Sequence, residues 1–299
     1  MRNPITGPYA DTIHLHEPLV PISSAHRAGE RRARHEGLAW LLSERARGLP
    51  VPSSETEADV LIRDLLTTRR PGAIPASVQA SLDELLASQA RARGSVSSGE
   101  ILAASGRLVS VAGTPLKLWQ GDITRLAVDA IVNAANAELL GCFQPRHACI
   151  DNAIHGAAGP RLREDCARII EIQGHPERSG EAKITRAYHL PSRFVLHTVG
   201  PIVAGGRVRP DDERTLAAAY LSCLELARAM ASIRTLAFCA ISTGVFGYPK
   251  DRAAEVAVRA VSAWLGERPT VFDLVVFCVF SDADRDAYDQ VMAGGDTVR

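Results

Sequence analysis

Two segments near the end of the chain constrain its fold most strongly. The segments "RTLAFCAI" (residues 234–241) and "FDLVVFCVF" (272–280) are apolar almost throughout. A strand with one face in water alternates apolar and polar residues, whereas a strand covered on both faces is continuously apolar. Helices are therefore expected on both sides of the sheet that contains these strands.

The rest of this region alternates between strand and helix patterns, as an α/β protein requires. Further strands are predicted at 107–112, 116–120, 128–132 and 193–199, and helices at 150–172, 213–231, 250–265 and 282–292. We therefore predict a three-layer α/β/α sandwich. Four of the six cysteines lie within these strand and helix patterns and are interpreted as buried thiols: Cys166, Cys223, Cys239 and Cys278.

The first third of the chain has a different pattern. Residues 1–30 show no periodicity and are interpreted as an irregular lead-in. Helical spacing follows at 31–49 and 55–66, and a Pro/Gly break precedes a third helix in "RRPGAIPASVQASLDELLASQ". A Ser/Gly-rich stretch places the boundary near residue 105. The predicted organisation is the lead-in, a helical extension over 31–105 and the α/β domain over 106–299.

Charge and hydropathy exclude several classes of partner. Thirty-four basic residues balance thirty-four acidic ones, so no net field attracts nucleic acid and an anionic ligand must be bound locally. No segment reaches the roughly 18 apolar residues of a membrane span, and the N-terminus lacks the apolar core of a signal peptide. We expect a soluble, cytoplasmic protein that binds neither membrane nor nucleic acid. The oligomeric state is left open.

The segment "LLGCFQPRHACIDNAIHGAAG" (139–159) contains a possible metal site. Cys142, His147 and Cys149 supply two thiolates and one imidazole, which suit tetrahedral zinc. Three protein ligands leave a position open, as in catalytic zinc sites. Two other interpretations stay open: incidental burial of cysteines beside a histidine, or a disulfide, which a reducing compartment disfavours.

A helix is predicted to begin directly after this loop. Asp151 and Asn152 would lie in its first turn, where free N–H groups favour acceptors and anions. A helix cap is the simplest role for Asp151. His155 follows four residues later on the same face and would either orient the carboxylate or merely pair with it.

Two other segments indicate a ligand that carries phosphate. In "AISTGVFGYPK", residues 242–247 connect a buried strand to a helix, and their N–H groups can form an anion-binding nest, although a tight strand-to-helix turn has the same pattern. Asp122 follows one predicted strand, and Asn133 and Asn136 follow the next. Polar groups at such strand ends line the ligand crevice of α/β sheets.

Taken together, these motifs resemble the macrodomain family of ADP-ribose binders and hydrolases. The segments "GDIT", "VDAIVNAAN", "AKITRAYHLPSRFVLHTVGP" and "ISTGVFGYP" occur in family order across residues 107–292. The glycine-rich catalytic loop of the familiar hydrolases is replaced by "GCFQPRHACIDNAIHGAAG", which is similar to a zinc-dependent microbial subclass. The segment "DLLTTRRPGAIPASVQASLDELL" resembles the N-terminal extension of that subclass.

The resemblance implies a fold and a reaction. It implies a mixed sheet and a zinc-dependent hydrolase that removes ester-linked mono-ADP-ribose from acidic side chains of proteins. Zinc on Cys142, His147 and Cys149 would polarise a ribose hydroxyl or a water molecule. Asp151 would orient or deprotonate the water, and Asn136 would act beside it at the scissile bond.

The resemblance also implies the ligand contacts. Asp122 would accept from the adenine amino group and Ile123 would help through its backbone. Asn133 and Asn136 would face the distal ribose, Phe246 would pack on it, and the 242–246 loop would hold the diphosphate. The full predicted substrate-binding set is Asp122, Ile123, Asn133, Asn136, Ile150, Asp151, Asn152, Ser242, Thr243, Gly244, Val245 and Phe246.

Two alternatives to this reaction stay open. One is an ADP-ribose reader in which zinc only shapes the pocket, although a reader needs no carboxylate beside the ribose. The other is a deacetylase of O-acetyl-ADP-ribose, which the same site could perform.

Overall fold

A seven-stranded mixed sheet forms the centre of the α/β domain in the computed structural model, which describes residues 7–19, 27–45, 49 and 52–294. Its order is β2-β3-β9-β8-β5-β7-β6, with the five inner strands parallel and both edge strands antiparallel to their neighbours. Strands β1 and β4 form a separate parallel pair. The strands are β1 (Val96–Ser97), β2 (Leu108–Val111), β3 (Thr114–Gln120), β4 (Leu126–Ala127), β5 (Ala130–Ala134), β6 (Ala182–Arg186), β7 (Phe194–Thr198), β8 (Thr235–Phe238) and β9 (Leu274–Val279).

Helices cover the sheet on both faces, which confirms the predicted sandwich. Every residue of β7 and β9 is buried, so neither strand has a face in water. Helices α8, α9 and α10 pack side by side, and α6 packs on α7. The helices are α1 (Tyr9–Thr12), α2 (Arg27–Arg45), α3 (Glu55–Thr68), α4 (Ala76–Arg93), α5 (Ser98–Ala103), α6 (Ile150–Ala158), α7 (Pro160–Gln173), α8 (Pro210–Ala229), α9 (Lys250–Gly266) and α10 (Asp282–Gly294).

The helix predicted over 150–172 is two helices that meet at Gly159. Gly159 has φ +90°, and a Cβ there would approach Leu86 of α4 to 2.6 Å. A residue with a side chain would therefore be both strained and obstructed. Helix α6, which ends at this break, packs against α3 and α4 of the helical extension.

Part of the predicted irregular lead-in forms a short helix and packs on the α/β domain. Helix α1 buries Tyr9 and Ala10, and the Tyr9 hydroxyl accepts a hydrogen bond from the Ile184 N–H at 3.1 Å. Ile13 and Leu15 are also buried in the core of the α/β domain. A four-residue helix has no periodicity for a sequence pattern to detect. Residues 1–6 and 20–26 of the predicted lead-in lie outside the described residues.

The helical extension has a core of its own. Helices α2, α3 and α4 bury an apolar cluster that includes Leu41, Ile62 and Leu82. Helices α3 and α4 pack against α6 of the α/β domain. The predicted helix 31–49 is α2, which begins earlier, and residues 46–48 of that prediction lie outside the described residues. Among the residues that are described, no helix combines the length and apolar character needed to cross a bilayer.

Candidate active site

The parallel strands bring four loops together at one edge of the sheet. The segments that follow β3, β5, β7 and β8 all leave from carboxyl ends, where ligand crevices of α/β sheets lie. Asp122 lies in the first of these segments, the cysteine-containing loop in the second, Gly200 in the third and the predicted phosphate loop in the fourth. The predicted site residues are thus gathered at one edge.

The cysteine-containing loop gathers three metal-ligating side chains. We call residues 139–149 the metal loop. The ligand atoms of Cys142, His147 and Cys149 all lie within 4.8 Å of one another, and Cys142 Sγ is 3.4 Å from His147 Nδ1. Both cysteines carry free thiols. The donor set of two sulfurs and one imidazole suits a borderline-soft cation such as zinc.

The charge balance of this cluster also fits a cation. Burial, together with neighbouring Cys142, raises the pKa of the Cys149 thiol to about 11, although Cys149 caps α6 and accepts from the Asn152 N–H. A coordinated divalent cation deprotonates a thiol by supplying the positive charge that such a cluster lacks. The residues present therefore fit a zinc ion.

Asp151 lies in the first turn of α6, two residues after Cys149. Its side chain is buried and accepts a hydrogen bond from Asn133 Nδ2 at 2.8 Å. Burial raises the pKa of Asp151 to about 6, against the Asn133 hydrogen bond and the charge of Arg163, which lower it. A carboxyl group with this pKa changes protonation near neutral pH, as general bases do.

Asn133 lies in β5 beside Asp151, and its predicted contact with the ribose stays a prediction. Its side chain is fully buried, and its amide also donates to His197 Nδ1 at 3.2 Å. Because His197 Nδ1 accepts, its Nε2 carries the proton and donates to Thr185 Oγ1 at 3.0 Å. Burial lowers the pKa of His197 to about 3, which keeps this imidazole neutral.

Asn136 joins the metal loop to Asp151. Its amide donates to the Gly141 carbonyl at 3.0 Å and to Asp151 Oδ2 at 3.4 Å. Its own oxygen accepts from the Glu138 N–H at 3.1 Å and shapes the turn that enters the metal loop. Asn136 therefore lies beside the carboxylate, and its predicted action at the scissile bond stays a prediction.

Asn152 and His155 have structural contacts. The Asn152 amide donates to the carbonyls of Gln144 and His147, so it holds the metal loop, and its predicted role in substrate binding stays a prediction. His155 is buried beside Gly141, with Nε2 3.5 Å from Asp151 Oδ1, yet neither ring nitrogen forms a hydrogen bond with the described residues. Burial lowers the pKa of His155, so it is a neutral neighbour of the carboxylate.

Ile150 presents its backbone to the site. The N–H groups of Ile150 and Asp151 donate no hydrogen bond to the described residues. The first N–H that the Cys149 cap satisfies is that of Asn152, which donates to Cys149 Sγ. These two free donors lie beside the Asp151 carboxylate at the positive end of the helix.

The loop after β8 has the geometry of an anion nest. Ser242 has φ +65°, and the N–H groups of residues 243–246 donate no hydrogen bonds within the described chain. A Cβ at Gly200 would lie 2.0 Å from Ser242 Oγ, so the loop after β7 packs tightly against this turn. Val203 also donates to the Phe246 carbonyl at 2.7 Å. Adjacent free N–H groups on a fixed loop can hold a diphosphate.

Asp122 keeps one carboxylate oxygen available. Its Oδ1 accepts from the Thr124 N–H and hydroxyl at 2.9 and 2.7 Å, while Oδ2 has no partner among the described residues. The Ile123 N–H donates no hydrogen bond either, within the same residues. An acceptor and a donor thus lie side by side, as the adenine edge requires.

An exposed aromatic ring beside Asp122 was missed by the sequence analysis. Phe280 follows β9 and is 80% exposed. Its carbonyl accepts a hydrogen bond from Gln120 Nε2, and the Val279 carbonyl accepts one from the Gly121 N–H, so Phe280 lies next to the segment that contains Asp122. The sequence signal is a large aromatic residue at the last position of an apolar strand, directly before "SDAD". An exposed ring at this position is available to stack on a planar base.

Comparisons with known proteins identify the family of this chain. A family model described as Macro domain matches residues 132–257. A protein of Treponema medium named Protein-ADP-ribose hydrolase is 43% identical over 246 residues, which cover 82% of this chain and 92% of that relative. The chain belongs to the macrodomain family.

Solved macrodomains share the fold. The Oceanobacillus iheyensis macrodomain with ADP is 36% identical with a TM-score of 0.58, covering 64% of this chain and 96% of the other. The Trypanosoma brucei macrodomain in complex with ADP-ribose is 29% identical with a TM-score of 0.58, covering 81% of this chain and 97% of the other. A second sequence relative, a protein of Staphylococcus aureus (strain MRSA252) named Protein-ADP-ribose hydrolase, is 50% identical over 183 residues, which cover 61% of this chain and 68% of that relative.

Arg163 is a second residue of this macrodomain that sequence reasoning missed. Its side chain is buried, and its guanidinium carbon lies 4.8 Å from the centroid of the Phe143 ring in the metal loop. Its charge lowers the pKa of Asp151. An arginine on an amphipathic helix gives no sequence signal of such a role, since most lie in solvent.

Proposed function

We propose that this macrodomain hydrolyses the bond between mono-ADP-ribose and a modified protein, with zinc bound by the metal loop. Two relatives that it resembles over most of their length are named Protein-ADP-ribose hydrolase. The observation that carries the proposal is the Asn136 amide, which bridges the Gly141 carbonyl and Asp151. A carboxylate suited to base catalysis is thereby held against the metal loop.

Binding of ADP-ribose is assigned to the groups that have free hydrogen-bonding capacity. Asp122 Oδ2 accepts from the adenine amino group, the Ile123 N–H donates to the ring, and Phe280 stacks on it. The N–H groups of 243–246 hold the diphosphate, and Phe246 packs on the distal ribose. This places the ribose before the N-terminus of α6, where Ile150 and Asp151 present their own N–H groups.

Zinc fits Cys142, His147 and Cys149 by donor chemistry and proximity. When bound, the ion supplies Lewis acidity at the ribose end of the pocket. Thiol ligands need a reducing compartment, and this supports a cytoplasmic location.

The remaining steps belong to Asp151 and Asn136. Asp151 in its ionised form accepts a proton from the attacking water, and Asn136 holds its Oδ2 in place. An ester to an acidic side chain is the substrate that this arrangement suits, because cleavage at the ribose carbon expels a carboxylate that needs no proton from the enzyme. A general base is then sufficient for the hydrolysis, and no general acid is needed.

The proposal is tested with a protein modified by mono-ADP-ribose on acidic residues and a second modified on arginine. Each is incubated with zinc-loaded, chelated and zinc-restored protein, and free ADP-ribose is measured by chromatography. We expect release from the acidic linkage, loss on chelation and recovery with zinc, and little release from arginine. Tight binding of ADP-ribose without release from either substrate would indicate a reader and contradict the proposal.

A further inference from the structure

The helical extension contacts the metal loop at Phe143. The guanidinium carbons of Arg70 and Arg163 each lie 4.8 Å from the centroid of this ring. Arg70 follows α3 of the extension, and Arg163 lies in α7. An arginine at this distance from an aromatic ring is attracted by its π-electrons. Phe143 directly follows the ligand Cys142, so these contacts restrain the first metal ligand.

A second contact restrains the other side of the loop. Arg146 donates to Asp64 Oδ2 of α3 through Nε at 3.0 Å and Nη2 at 2.7 Å. Arg146 has φ +60°, a left-handed conformation that is disfavoured for a residue with a Cβ. His147 donates back to the Gln144 carbonyl and closes this turn. Because Arg146 directly precedes the ligand His147, the ion pair with Asp64 fixes the backbone that presents the imidazole.

Arg163 connects these contacts to the end of α3. It donates to the carbonyls of Leu66 and Arg69 at 2.8 and 2.6 Å, and the Leu66 carbonyl also accepts from the Arg69 N–H at the end of the helix. Asp64, Arg70 and the two carbonyls thus belong to the last turn of α3 and the residues after it. The third ligand, Cys149, caps α6, on which α3 and α4 pack.

We propose that the helical extension is a positioning element for the metal site: the end of α3 holds Phe143 and Arg146, and so brings Cys142 and His147 into register with Cys149. A loop ordered before the ion arrives loses less conformational freedom on binding, so it binds more tightly. This inference rests on the proposed function for the identity of the ion. It assigns Asp64, Arg70, Phe143 and Arg163 as positioning residues.

The test uses two variants in the full chain and one matched control. Phe143→Leu keeps apolar volume but removes the ring, and Asp64→Asn keeps shape but removes the charge. The control Asp59→Asn breaks a different ion pair of the same helix, Arg34 to Asp59 at 2.6 Å, which lies within the extension. Circular dichroism and thermal unfolding establish that each protein is folded.

Two readouts are measured, and neither requires turnover. Zinc affinity is obtained by competition with a chromophoric chelator, and we expect a loss of about tenfold for Phe143→Leu and about threefold for Asp64→Asn. Trypsin cleavage after the exposed Arg146 is followed by mass spectrometry in metal-free protein. We expect cleavage to accelerate at least about threefold in both variants, since the loop opens more often, and to be unchanged in Asp59→Asn.

The outcomes separate this inference from the proposed function. Unchanged zinc affinity and unchanged cleavage in Phe143→Leu and Asp64→Asn would overturn the positioning role, as would equal changes in Asp59→Asn. A wild-type protein that binds no zinc would contradict the proposed function instead. The trypsin comparison, made without metal, then decides by itself whether the extension holds the loop.

Discussion

Asn133 donates a hydrogen bond to Oδ1 of Asp151 over 2.8 Å, and both side chains are buried. The second hydrogen of the same amide goes to His197, so the amide orientation is fixed by two acceptors. The carboxylate that faces the proposed ribose site is thereby held from below, at the end of β5. Desolvation raises the pKa of this carboxyl group to about 6, against the Asn133 hydrogen bond and the charge of Arg163, which both lower it.

The metal loop is expected to bind about one zinc ion per chain. Replacing both Cys142 and Cys149 by Ala removes two of three ligands and should reduce zinc in purified protein to near zero. Elemental analysis of both proteins, normalised to protein concentration, measures this. Full occupancy in the double variant, or no metal in wild type, would contradict the assignment.

Asp122→Asn is expected to weaken ADP-ribose binding without affecting zinc. Asn retains Oδ1 for the Thr124 turn but places an amide donor where Oδ2 would accept from adenine. Loss of a charge-assisted hydrogen bond costs about 1.5–3 kcal/mol, or roughly 10- to 150-fold in affinity. Calorimetric titration with ADP-ribose gives the value, and an unchanged affinity would mean that adenine binds elsewhere.

Gly200→Ala should damage the phosphate loop. The new Cβ would lie 2.0 Å from Ser242 Oγ and 2.7 Å from the Ile241 side chain, so both side chains must shift. We expect a loss of about 1–3 kcal/mol in the free energy of unfolding and weaker ADP-ribose binding. Gly156→Ala is the control, because a Cβ there meets nothing within 4 Å and Ala favours the helix. Urea denaturation should show that only the first change destabilises the protein.

Buried His197 should make the protein less stable in acid. Its pKa falls from the usual 6.5 to about 3 in the folded protein, because burial disfavours the imidazolium. The unfolded chain therefore binds an extra proton between these values. The stability is fully present above pH 6.5 and is lost as the pH falls toward 3, with a slope of up to about 1.4 kcal/mol per pH unit.

His197→Gln isolates this contribution, since Gln keeps a donor for Thr185 but does not titrate. Free energies of unfolding of wild type and variant are compared from pH 7 to pH 4. The variant should show the shallower dependence. Parallel curves would mean that burial does not lower the pKa of His197 below its usual value of 6.5.

Sequence patterns predict a strand well when both of its faces are covered in the same way. Strand β9 is apolar because helices cover both of its faces, so its composition alone indicates its position. Strand β6 was missed because it lies at the sheet edge, where "AKITR" mixes Lys and Arg with apolar residues. The break at Gly159 was missed although the sequence signals it, since Gly159 is followed by Pro160, which begins α7.

The candidate site also contains features that the sequence predicted and features that it did not. Motif positions placed Cys142, His147, Cys149 and Asp151 in one loop and helix start, and the structure brings them together. The depth of a side chain is not encoded in a short motif, so the burial of Asn133 beside Asp151 was not predicted. The contact between Asp64 and Arg146 joins residues 82 positions apart, and no periodicity reports it.

Asp151 and the metal loop are proposed to form one reaction centre, and a four-way comparison of rates tests this proposal. Wild type and Asp151→Asn, each zinc-loaded and zinc-free, are given a protein bearing ester-linked ADP-ribose, and single-turnover release is measured with thermal unfolding as a check on folding. Either loss alone should slow release about 10²–10⁴-fold, and both together little more, because groups that act as a unit are not additive. Release of ADP-ribose at the wild-type rate by folded, zinc-loaded Asp151→Asn would contradict this proposal. Rate losses from the substitution and from zinc removal that simply multiply would contradict it as well.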